Sequence, residues 1–582
     1  MDASRSQEAA GAAPTTTAGR PDPGRWTAPG PGSWVQDGSH VPRPLCRFTS
    51  SLITAPFEAG FQETLARYGS LLESLDAVIV DGFLYQRLRP VGAPPEAAGP
   101  PPEPVFRELL ETAPALRERV ATAATVLAER RWRGDLRRWD DEIKPALHRR
   151  HADLVRVDLG SLDDAALCDH VDRCARAFAE GVLQHHRHNA PAMLPVGDLV
   201  VHAIRWTGLP PAEVLACLAG ASPVTEGAPD ELAALVRALR GDPAATAVAT
   251  DETLPADEAL SRLLRSPDPV GARADAYIHA LAALPLDGED AVAEPGSLEA
   301  PGLLVARIRA ALHSDPRARA TAGTDAAARV RAAVPAEHRT EFEDLLTEAR
   351  LVYRLRDERA VHADRLFGSV ARAALLEAGR RLAARGAIDE PADAVDLDPA
   401  EVRSLLLDGS GPSHAEVAER VRWRRTATYR DMPPLFGPPP APPVPAEWLP
   451  PAAARIHEAL GFVVGAVLED AHRAPEARAV HGLAVSPGSH EGTARVLAGS
   501  EELSRIQAGD VLVAAMTGPA FNLVLPRLGA IVTDRGGLLS HAAIVAREFG
   551  IPAVVGCQDA TEVIPDGARV RVDGGTGTVT VL

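Results

Sequence analysis

The run from Ala530 to Gly556, AIVTDRGGLLSHAAIVAREFGIPAVVG, admits few folds. Ala530 to Thr533 is short, apolar and β-branched, which predicts a buried strand. Gly536 and Gly537 predict a bend that needs unusual dihedrals or close backbone approach. Ser540 falls where a helix N-cap belongs, just ahead of Ile544, Val545 and Phe549 at helical spacing. Gly550 ends that helix and Pro552 forbids its continuation. Ala553 to Val555 then supplies a second strand. Strand, helix and strand in so short a span make a βαβ unit, with parallel strands and a right-handed crossover.

This geometry puts His541 at the first helical position. Free backbone N–H groups and the positive end of the helix dipole face whatever the ring carries, which suits an anion. The same field disfavours a proton on the ring, so the imidazole is expected to be neutral near pH 7. A neutral imidazole can take up and hand on a phosphoryl group, splitting one difficult transfer into two easier ones. Ser540 is expected to cap the helix and donate to a phosphate oxygen. Thr533, Gly536 and Gly537 are expected to support the phosphate loop, and Arg547 to pair with an acid. An isolated histidine at a helix start usually only caps or packs. The intact run around His541 favours phosphoryl transfer.

The run resembles the phosphohistidine motif of the phosphoenolpyruvate (PEP)-utilising enzymes, the family of PEP synthase, pyruvate phosphate dikinase and rifampin phosphotransferase. Gly482 to Gly492, Gln507 to Pro519 with its Thr517-Gly-Pro turn, and Val563 to Leu582 resemble other parts of that family's swivelling domain. More weakly, Leu355 to Arg359, Arg372 to Leu382 and Arg385 to Asp393 look like its acceptor-binding domain, as do Trp34 to Pro44 and Asp81 to Tyr85 near the start. The implied fold is a large, mainly α-helical acceptor-binding domain followed by a C-terminal β/β/α swivelling phosphohistidine domain. The expected boundaries are a disordered tail over 1–30, the helical domain over 31–432, a proline-rich linker and connecting helix over 433–480, and the swivelling domain over 481–582.

The resemblance also implies what the chain leaves to others. Neither an ATP-grasp segment nor a PEP-binding barrel is recognisable, as in the split phenylphosphate synthase systems. The expectation is that ATP and Mg2+ act through a separate ATP-grasp nucleotide-binding partner and that this chain binds neither directly. His541 would then pass phosphate to a small-molecule hydroxyl or enol, and phosphorylating a hydroxyl could also activate it for elimination in a specialised pathway. Two alternatives stay open: a non-enzymatic phosphocarrier, and a degenerate scaffold that keeps only the fold.

Composition bounds the partners. A net charge of −18 over 582 residues argues against nucleic acid or an anionic membrane as the main partner. Five dispersed cysteines without metal-ligand spacing suit buried thiols in a reducing cytoplasm. Lys144 is the sole lysine and sits at a charged helix end before proline, not in a glycine-rich phosphate loop.

From Trp34 to Val480 helical periodicity dominates, broken at proline and glycine clusters. Pro433 to Pro445 is proline-rich and is expected to act as a semi-rigid tether for a travelling carrier domain, against the alternative of a surface wrap. An acceptor domain needs positive charge facing the incoming phosphoryl group. Arg356 with Asp357 and Glu358, Arg372, and His40 are the candidates: arginine can clamp phosphate and a carboxylate can take the hydroxyl proton. Ordinary i,i+4 pairing on a charged helix is the competing account. In Gln184-His-His-Arg-His-Asn189, His185 and His188 could share a helix face, but no third ligand follows at metal spacing, so a structural helix end and no metal are expected. Trp34, Tyr85, Trp132 and Trp139 are expected in the core.

Overall fold

The computed structural model describes residues 26–94, 96–97, 99–222, 229–251, 253–281, 290–296, 301–313, 322–468 and 479–582. A large, mainly helical region precedes a C-terminal mixed β-sheet region. That is the fold class expected from the sequence. Residues 1–25 of the expected tail lie outside the described residues; beyond them, the Trp26 indole donates to Asp81 at 2.6 Å.

The helical region also holds a small antiparallel sheet that helical periodicity did not announce. Its strands are β1 (Trp34–Gln36), β2 (Leu72–Val80), β3 (Phe83–Pro90) and β4 (Leu435–Phe436), in the order β2-β3-β1-β4. β2 and β3 form a hairpin around Asp81-Gly82, both with positive φ, which is the local signal for a two-residue turn. Trp34, Tyr85, Trp132 and Trp139 are all buried, as expected.

The proline-rich run corrects the tether expectation. β4 pairs with β1, the Gln36 N–H donates to the Pro434 carbonyl at 3.0 Å, and the Tyr85 hydroxyl donates to that of Pro433 at 2.6 Å. Ser33 Oγ donates to Pro438 as well. The start of the run is therefore an edge strand fixed to the helical region, a position where proline's missing N–H costs little. The helix Pro451–Leu468 then packs along the helix Asn189–Thr207. The stretch from there to the C-terminal sheet, residues 469–478, lies outside the described residues.

The C-terminal sheet adds β5 (Ala479–His481), β6 (Leu483–Ser486), β7 (Ser489–Leu497), β8 (Asp510–Ala514), β9 (Leu528–Thr533), β10 (Ala553–Val555), β11 (Arg569–Asp573) and β12 (Thr578–Val581). Their order is β5-β12-β11-β7-β8-β9-β10-β6. β7, β8, β9 and β10 run parallel, and antiparallel strands flank them on both sides. Alternate residues feed two apolar layers. Leu512, Ile531 and Val555 face one with Ala542 and Val545; Val511, Val513, Val532 and Val554 face the other with Val570 and Val579. A parallel core buried on both faces explains why these strands are continuous apolar runs.

Candidate active site

β9, the helix His541–Phe549 and β10 form the βαβ unit that the sequence predicts, with Ala553 beside Ile531 and Val554 beside Val532. Ser540 is the N-cap, its Oγ accepting from the Ala543 N–H at 3.4 Å, and Gly550 closes the helix with φ 65°. The chain reaches the helix through Gly536, whose φ is 115° and whose position has room only for hydrogen: a Cβ there would lie 2.7 Å from Ser540 Oγ. The Ser540 N–H donates to the Gly537 carbonyl at 3.0 Å, which tightens the turn. Thr533 is fully buried and braces the same loop from beneath, donating to the Arg535 carbonyl at 2.7 Å.

His541 Nδ1 lies 2.9 Å from Thr517 Oγ1. Thr517 follows β8 and His541 follows β9, so the pair sits beyond the carboxyl ends of adjacent parallel strands, where open α/β sheets place their ligands. If Nδ1 carries the proton and donates to Thr517, the lone pair is on Nε2. Nε2 is buried and has no hydrogen-bond partner among the described residues, although the residue as a whole is only partly covered. The ring's pKa is held down at about 3, by burial first and then by the charges of Arg365 and Arg356. Neutrality was expected from the helix field; desolvation and the two guanidinium groups act in the same direction.

Those arginines belong to the helical region, on which the C-terminal domain is docked. Arg356 donates to the Leu539 carbonyl. Leu539 is 1% exposed and packs among Val196, Leu199, Phe342, Tyr353 and Val463 of the helical region. The Gly220 N–H donates to both carboxylate oxygens of Glu548, at 2.7 and 2.9 Å. Arg430 pairs with Glu562 and donates to the Gln558 carbonyl, and the Arg535 guanidinium lies 3.7 Å from the Tyr429 ring centroid. Among the described residues Arg547 does not pair with an acid. It is buried and bridges the loop, donating to the carbonyls of Leu538 at 2.8 Å and Val485 at 3.3 Å.

The remaining candidates separate in space. Asp357 accepts from Ser222 Oγ at 2.6 Å and holds Arg356 at 3.3 Å, so it orients that arginine. Glu358 faces away, buried and saturated by Lys144, Arg354 and Trp139 at 2.7–2.9 Å. Arg372 is buried and donates to the carbonyls of Val292 and Ala293. His40 pairs with Asp37 at 2.9 Å. Of the acceptor candidates, the structure brings Arg356 to His541, with Asp357 behind it.

Sequence reasoning missed Arg365, whose charge acts on His541; its neighbour Asp364 pairs with His185, Nδ1 to Oδ2, at 2.8 Å. Arg365 ends a π-helical stretch, Ala360–Arg365. On an ideal α-helix nine residues make about two and a half turns, which would put Arg356 and Arg365 on opposite faces. The wider turn changes that phase, and such insertions are frequent at functional sites. His185 and His188 do not share a ligand: His188 Nδ1 lies 2.7 Å from the Gln184 carbonyl. Among the described residues no group of three or more His, Cys, Asp or Glu side chains could hold a metal ion.

Residues 506–577 match the model of the PEP-utilising enzyme mobile domain. The C-terminal domain belongs to the PEP-utilising superfamily. Over 248 residues the chain is 34% identical to the uncharacterised phosphotransferase YvkC of Bacillus subtilis, covering 42% of this chain and 27% of that protein. It is 45% identical over 106 residues to the rifampicin phosphotransferase of Bacillus cereus, covering 18% and 12% of the two chains. Identity is 44% over 115 residues with the PEP synthase of Pyrococcus furiosus, covering 20% and 14%. The chain spans only about a quarter or less of the length of these relatives. Phosphotransfer chemistry of the PEP-utilising type is what these likenesses support. Among the described residues no helix is long and apolar enough to cross a membrane, and the five cysteines are buried thiols with no disulfide between them.

Proposed function

We propose that this chain is a histidine-dependent phosphotransferase subunit in which His541 carries a phosphoryl group from a nucleotide-binding partner to a small-molecule hydroxyl or enol. The observation that carries the reading is His541 Nε2: a buried, unpartnered nitrogen at a helix start, within reach of the charges of Arg356 and Arg365. A nitrogen lone pair without a proton or a described partner, set beside two cations, suits an atom that will bear a dianionic group.

In charging, a P–N bond forms at Nε2 as the donor's P–O bond breaks, and the Nδ1 proton stays with Thr517. ATP and Mg2+ would act on the partner, an ATP-grasp protein. In discharge, the acceptor oxygen bonds to phosphorus, the P–N bond breaks, and the imidazole leaves as a neutral base. The hydroxyl proton goes to Asp357, the carboxylate that holds Arg356 at 3.3 Å. Arg356 and Arg365 offset the charge on the transferring group.

The interface with the helical region gives the docked arrangement a place in this cycle: it is the acceptor station, and charging requires the domain to turn toward the partner. The test is discharge. Chain labelled on His541 and freed of partner is mixed with candidate hydroxylated metabolites, and label is followed from protein to small molecule. Transfer that is lost in R356Q and R365Q supports the reading. Label that leaves only as inorganic phosphate, at the same rate with every metabolite, overturns the acceptor role.

A further inference from the structure

Arg359 is a buried cation without a counterion among the described residues. It is 8% exposed, its Nε is buried without a partner, and it makes no side-chain hydrogen bond or ion pair with any described residue. The nearby acids are already engaged, Asp357 by Ser222 and Arg356, and Asp364 by His185. Buried charges in folded proteins are paired, and a trapped water would satisfy one N–H without neutralising the charge.

The surroundings of Arg359 are polar and incompletely satisfied. The helix Leu355–Arg359 and the π-helical Ala360–Arg365 pack on the end of the helix Asp164–Arg187 and the start of the helix Asn189–Thr207. Gly181 permits that approach, since a Cβ there would lie 2.6 Å from the Ala363 carbonyl oxygen. His186 and His188 lie within electrostatic reach of the arginine, with Asn189 Nδ2 at 3.3 Å from His186 Nδ1 and the Gln184 carbonyl at 2.7 Å from His188 Nδ1. Gln184 Oε1 and Asn189 Oδ1 are buried acceptors without partners. Burial first and then the adjacent Arg356 pull the Arg359 pKa down to about 9, against the opposing charges of Asp357 and Asp364.

We propose that Arg359 is the anchor for an oxyacid group, a carboxylate or a phosphate, on the acceptor molecule, with Gln184 and Asn189 accepting from its hydroxyl groups. A guanidinium fork matches either oxyanion with two parallel hydrogen bonds. Arg356 and Arg359 are three residues apart, neighbours on one helix face with Cβ atoms about 5–6 Å apart. Arg356 faces the phosphorus on His541 while Arg359 holds the acceptor one turn away. The acceptor's oxyacid group and its phosphorylated oxygen are therefore separated by roughly one helical turn, which describes a small hydroxy acid or hydroxylated phosphate ester.

The word acceptor rests on the function proposed above, but the test does not. Isothermal titration of the full chain with D-glycerate, glycerol 3-phosphate and glycerol needs no phosphate on His541, so its failure is distinguishable from failure of the phosphohistidine reading. At least one anionic probe is expected to bind and glycerol is not; which anion binds decides between carboxylate and phosphate. R359Q is expected to weaken that anion at least tenfold, and R359K less. Anion binding unchanged in R359Q, or no anion binding to wild type, overturns the proposal. Melting of the unliganded chain is a second measurement. R359M removes an unpaired buried charge and is expected to melt higher than wild type. A fall in melting temperature would make Arg359 a structural group and overturn the proposal equally.

Discussion

Replacing Leu539 by alanine is expected to loosen the docked arrangement without unfolding either region. Leu539 lies in the phosphohistidine loop, yet its buried neighbours belong to the helical region and not to the core of its own domain. Undocking returns it to water. The substitution removes three carbons at about 0.8 kcal/mol each, so docking weakens by about 2.4 kcal/mol. At 1.4 kcal/mol per factor of ten, the undocked-to-docked ratio rises about fiftyfold. The ratio can be read by single-molecule fluorescence transfer between labels on Arg422→Cys and Arg569→Cys. Both arginines are exposed, and the five native thiols are buried and will not compete. A ratio within threefold of wild type would refute the reasoning. So would loss of the sheet's circular dichroism, because Leu539 would then be supporting its own domain.

Gly536→Ala forces a Cβ onto a φ of 115° and against Ser540 Oγ, a strain of about 1–3 kcal/mol; phosphohistidine yield should fall at least tenfold with circular dichroism unchanged, and equal labelling would contradict the loop geometry. Thr517→Val removes the partner of His541 Nδ1, a bond with a net worth of about 1 kcal/mol, and labelling should slow severalfold; an unchanged rate would mean that Thr517 does not fix the tautomer. Acidification should also favour undocking. The His541 pKa is about 3 when docked against an ordinary 6.5, so the undocked and unfolded states bind more protons between those values. Docking is therefore at full strength above pH 6.5 and weakens by up to about 1.4 kcal/mol per unit as pH falls toward 3. The same fluorescence ratio should move roughly tenfold toward the undocked state between pH 7 and 5.5. Tighter docking on acidification would contradict the sign.

The parts of the molecule legible in the sequence are those set by local rules. The strand before Gly536, the Ser540 cap, the Gly550 stop and the helix-start position of His541 all follow from near-neighbour chemistry, and the structure has them. The Asp81-Gly82 hairpin carried its own turn signal, although the surrounding helical periodicity masked it. What stayed hidden depends on contacts distant in sequence or on a change of helical phase. Arg365 reaches His541 through a π-helical stretch that a 3.6-residue period cannot anticipate. His185 meets Asp364 across 179 positions, so the cluster at Gln184–Asn189 looked like a helix end. Glu358, beside Arg356 in the chain, points the other way into Lys144 and Arg354. The proline-rich run looked like a tether because its pairing partner, β1, lies four hundred residues earlier.

The most direct test of the central claim is the site of phosphate attachment. The full chain is incubated with ATP labelled in the β-phosphate and an ATP-grasp partner, digested at alkaline pH, and mapped by mass spectrometry. One acid-labile, base-stable phosphate is expected on the peptide containing His541, and none on His541→Ala. Equal labelling of the two proteins, or a phosphate mapped to another side chain, would contradict the account.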